Sequence, residues 1–109
     1  MKDRHENDWR IASLRIGDLE VPVESRELDE CGHWRDMKIV MSSKIKDKDI
    51  YFSSLLHESI HAIAELYGIK LKESQVRVLE MSIFSLMKNN PKLSASLSGE
   101  ERDSKKTKR

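Results

Sequence analysis

The chain has 109 residues, 20 Lys and Arg against 19 Asp and Glu, 38% hydrophobic and 36% charged side chains, and one cysteine. That length fits one domain with a modest core. The near-balance of charge offers no broad basic face for nucleic acid, and one cysteine rules out an internal disulfide.

Residues 1–8 are charged and read as a flexible N-terminus without the apolar segment of a signal peptide. No run of 18 apolar residues follows, so no membrane partner is expected. With the lone Cys31 this points to a reducing, cytoplasmic setting. Trp9 to Ile16 and Leu19 to Glu24 alternate apolar and polar residues around Gly17-Asp18, predicting two strands joined by a tight turn. Pro22 predicts an edge position for the second strand. Cys31-Gly32-His33 reads as another turn, and Met37 to Met41 as a third strand.

Lys48 to Tyr67 reads as one helix, capped by Asp47 or Asp49 and ended by Gly68. Phe52, Leu56, Ile60, Ile63 and Tyr67 recur at three- and four-residue spacing and predict its buried stripe. Glu73 to Lys88 reads as a second helix, stopped by Asn89-Asn90-Pro91, with Val76, Leu79, Ile83, Leu86 and Met87 as its stripe and Met81 and Met87 as core filler. The expectation is an α+β domain over 9–93, with a small N-terminal antiparallel sheet packed on an antiparallel helical hairpin. Residues 94–109 read as a disordered charged tail. Its basic end follows Glu100, Glu101 and Asp103, so a solvated segment is expected there rather than a nucleic-acid contact.

The chemistry lies in His57-Glu58-Ser59-Ile60-His61. Residues four apart share a helix face, so both imidazoles can reach one ion. Glu58 stands about 100° round the helix, placed to touch a water on that ion. With 4 His and 11 Glu in the chain, chance predicts only about 0.01 such motifs. The third ligand should come from the second helix. At 1.5 Å per residue, the midpoint of the two His lies about 13 Å before Gly68, and Glu80 lies about 11–12 Å into the second helix. Depth therefore favours Glu80, with Glu73 near the turn as the alternative. His33 is a candidate oxyanion or substrate contact from its turn.

This pattern, with eighteen residues between His61 and Glu80, resembles the gluzincin zinc peptidases. The stretch from Leu55 through Glu80 to Asn89-Asn90-Pro91 is similar to small metallopeptidase-like proteins of phages and prophages, and more distantly to the ImmA/IrrE peptidases that clear repressors. The resemblance covers residues 32–93 and implies a minimal zincin-like fold. It implies Zn2+ held by His57, His61 and Glu80, Glu58 as general base, and a protein or peptide substrate. It also implies that the strand Lys38–Met41 borders the cleft and pairs with substrate. The chain has no match to the extra Tyr or His with which larger gluzincins stabilise the oxyanion. The second functional expectation is accordingly a regulatory protein that uses the same scaffold to grip a host or repressor protein with little or no turnover.

Overall fold

A computed structural model describes residues 9–99. Four strands precede three helices: β1 (Ser13–Ile16), β2 (Leu19–Arg26), β3 (Gly32–Arg35), β4 (Lys38–Ser42), α1 (Lys48–Leu66), α2 (Glu73–Asn89) and α3 (Pro91–Ser98). The α+β class holds, but the sheet is mixed rather than antiparallel. Its order is β1-β2-β4-β3, and β2 pairs parallel to β4 while the two outer pairs are antiparallel.

Three strand readings change accordingly. Cys31-Gly32-His33 opens a strand, and the reversal falls at Asp36 and Met37, both at positive φ, as a two-residue hairpin turn of the primed type requires. Pro22 sits on an interior strand; it is tolerated because β4 pairing begins one residue later, at Val23. Lys38–Ser42 is hydrogen-bonded on both sides, so the outer edge beside α1 belongs to β3 instead of the segment Lys38–Met41.

Asp47 caps α1 by accepting from the backbone N–H groups of Asp49 (2.8 Å) and Ile50 (3.2 Å). At the other end Gly68 takes φ +68°, and Ile69 N–H reaches back to Ala64 C=O at 2.7 Å, the six-to-one bond of a Schellman motif. The helix buries two faces, so a single stripe does not describe it. Tyr51 and Leu55 join Val21, Val23, Ile39, Met41 and Ile45 in the sheet-facing core. The other face, with Ser53 and His57, meets α2, whose one buried residue is Val76. Tyr67, predicted on the stripe, is exposed, as are Ile63, Leu79, Met81 and Leu86; α2 forms an outer layer that packs mainly on α1.

Residues 94–98, expected in the disordered tail, complete α3, which begins with Pro91 at its first turn. Residues 100–109 of that tail and the N-terminal segment 1–8 lie outside the described residues. Among the described residues no helix is long and apolar enough to cross a membrane.

Candidate metal centre

The sheet-to-helix layering makes a cleft of about 360 Å³ with α1 as its floor. Ser54, His57 and Glu58 line the floor, Glu30, Cys31 and Gly32 form one wall, and Glu73, Arg77 and Glu80 of α2 form the other. A side chain at Gly32 would not fit: a methyl there would stand 2.8 Å from the Val40 carbonyl oxygen and 2.9 Å from Met41 Sδ. Bare backbone therefore borders the cleft at this point.

The two imidazoles sit one helical turn apart, with ring centres 5.1 Å apart. Both present Nε2 to one carboxylate: His57 Nε2 is 2.9 Å and His61 Nε2 3.0 Å from oxygens of Glu73. The ligand atoms of His57, His61 and Glu73 lie within 4.8 Å of one another, a group that can hold a metal ion. Ligand atoms about a tetrahedral zinc stand roughly 3.3 Å apart, given bonds of about 2.0–2.2 Å, so little rearrangement separates this group from a coordination shell.

Glu80, which the depth argument favoured, has a different place. Its Oε1 is 2.9 Å from His57 Nδ1, and its Oε2 accepts from the Ser53 hydroxyl one turn earlier on α1. The depth is as expected, since Glu80 does lie level with His57. Depth does not say which nitrogen a carboxylate meets, however. Glu80 meets the nitrogen nearer the backbone, while the far nitrogen points along the hairpin towards the first residue of α2. That residue is Glu73, set level with His61 by the connection 67–72 and fixed there by the bond from Lys72 N–H to the Gln75 side chain (2.8 Å). The missed signal was the exposed carboxylate at the helix start.

Glu58 lies on the sheet side of the pair. Its spacing from Tyr51, Leu55 and Ala62 puts it on the face that packs under the sheet. Burial pushes its carboxyl above the ordinary range, against the opposing pull of His57 and His61. Burial also pushes Glu73 upward, but His57, His61 and Arg77 together outweigh it and hold that carboxyl below the ordinary range. An ionised Glu58 consequently costs stability at pH values above its unfolded pKa. Glu58→Gln is expected to raise the melting temperature of metal-free protein at pH 7. The sign follows from linkage: a raised folded pKa means the native state binds the proton more tightly, so the cost vanishes below the unfolded pKa, near 4.5. Melts of both proteins from pH 3.5 to 8 should therefore converge in acid, and equal melting temperatures at pH 7 would contradict the assignment.

His33 is not part of the group. The register pairs Trp34 with Ile39, and Trp34 Nε1 donates to Glu65 of α1 at 2.7 Å, so alternation turns His33 to the other face of the sheet. Its Nδ1 meets Glu30 at 3.0 Å. Scans against protein-family models, curated proteins and solved structures return no match.

Proposed function

We propose that this chain is a zinc-dependent peptidase of minimal zincin-like form, with His57, His61 and Glu73 as ligands and Glu58 as general base. The observation that carries this reading is the meeting of two Nε2 atoms on one carboxylate, with a desolvated carboxylate on the adjacent position of the same helix. Two neutral imidazoles and one carboxylate suit zinc and leave a fourth position open.

When bound, zinc supplies Lewis acidity and brings the pKa of a coordinated water to about 7. Glu80 holds His57 Nδ1–H, which leaves the Nε2 lone pair free for the ion and fixes the ring plane; Ser53 in turn fixes Glu80. Glu58 takes the proton from the attacking water and returns it to the leaving amine. A carboxyl whose pKa is raised by burial is suited to both transfers near neutral pH. Among the described residues β3 is an edge strand, and its outer backbone N–H and C=O groups offer a place on which an extended substrate can be laid.

The reading is tested by incubating zinc-loaded protein with a mixture of unstructured peptides and following the products by mass spectrometry. Cleavage at defined bonds, stopped by a chelator and restored by zinc, is expected. An intact mixture after prolonged incubation would overturn it.

A further inference from the structure

Beyond the cleft lies a second concavity, of about 440 Å³, lined by Leu28 to Cys31, Ser42, Lys44 to Asp47, and Ile50. It shares Glu30 and Cys31 with the cleft, so the two concavities adjoin at those residues. Its interior is apolar. Leu28 is half-buried, Ile45 is 8% exposed, and Ile50 is 51% exposed although it stands in the first turn of α1 beside them. Lys44 and Asp29 pair at 3.5 Å on its rim.

Ile50, Ser54 and Glu58 are spaced four residues apart, so they form one line along α1 from this concavity to the general base. Eight residues of helix span about 12 Å. An extended peptide covers that distance in three to four residues, at roughly 3.3 Å each. The edge of β3 takes over where that line ends: Gly32 borders the cleft beside Glu58, and Trp34 reaches Glu65 two turns further along α1.

We propose that this concavity is a specificity subsite that takes a large aliphatic or aromatic side chain of the substrate, three to four residues from the bond at the metal centre. The occupant is an extended polypeptide. The concavity adjoins the cleft at Glu30 and Cys31, lies on the same line of α1, and offers apolar surface at Leu28, Ile45 and Ile50. This rests on the proposed function only in requiring that a polypeptide lie in the cleft.

The test uses the full chain, zinc-loaded, carrying Glu58→Gln so that bound peptide is not consumed. Fluorescein-labelled octapeptides of Ala and Ser, with one Leu or Phe walked through successive positions, are titrated by fluorescence polarisation. At least tenfold tighter binding is expected in one register of the walk. Adding Ile50→Lys at this half-exposed position, with the fold checked by circular dichroism, should cut that preference to within twofold. Equal affinity in all registers, no measurable binding, or a preference that survives both Ile50→Lys and Leu28→Ser would overturn the proposal. The wild-type protein is assayed for cleavage of the same peptides. Register-specific binding without cleavage upholds the subsite and removes the peptidase; cleavage indifferent to register does the reverse.

Discussion

Glu58→Gln is expected to lower kcat/KM for peptide hydrolysis by about 10²–10⁴-fold, the usual contribution of a positioned general base. Metal content should stay at the wild-type value, because Glu58 is not among the three residues whose ligand atoms converge. The amide is nearly the same size as the carboxylate it replaces and carries no charge into a desolvated position, so folding is preserved. The loss should therefore appear in kcat rather than in KM. Hydrolysis within threefold of wild type would remove Glu58 from the mechanism. A biological effect that persists without hydrolysis would favour the gripping scaffold.

The second large effect separates the two carboxylates of α2. Glu73→Ala takes away the group that both Nε2 atoms face, and should leave the chain unable to retain stoichiometric zinc through dialysis against a weak chelator. Glu80→Ala removes only the support of His57 Nδ1, and should weaken zinc binding by about 10–100-fold while retaining the ion under the same dialysis. Competition titration with a chromophoric chelator reads both. The reverse order of effects would make Glu80 the ligand and Glu73 an accessory.

That contrast also marks where the sequence stops being legible. The motif, its helix, the Asp47 cap, the Gly68 terminus and the second helix all follow from local chemistry, because spacing and capping act over one or two turns. The choice between Glu73 and Glu80 depends on which imidazole nitrogen faces which side chain, a rotamer matter invisible to axial depth. The parallel pairing of β2 with β4 is a long-range contact that the two-residue period of either strand does not encode. Gly32 looked like a turn residue because glycine usually punctuates; here it is demanded by the close approach of Val40 and Met41. The stripe on α2 misled for a related reason. Periodicity shows that a face is apolar but not that a layer covers it, and Leu79, Met81 and Leu86 stay exposed on α2, which packs mainly on α1.

Anomalous X-ray scattering collected on either side of the zinc absorption edge, from crystals grown without added metal chelators, bears most directly on all of this. The account predicts one zinc per chain, bonded at about 2.0–2.2 Å to Nε2 of His57, Nε2 of His61 and a carboxylate oxygen of Glu73. A chain that binds no ion even when soaked with zinc, or one whose ion sits away from the His57–His61 turn, would contradict it.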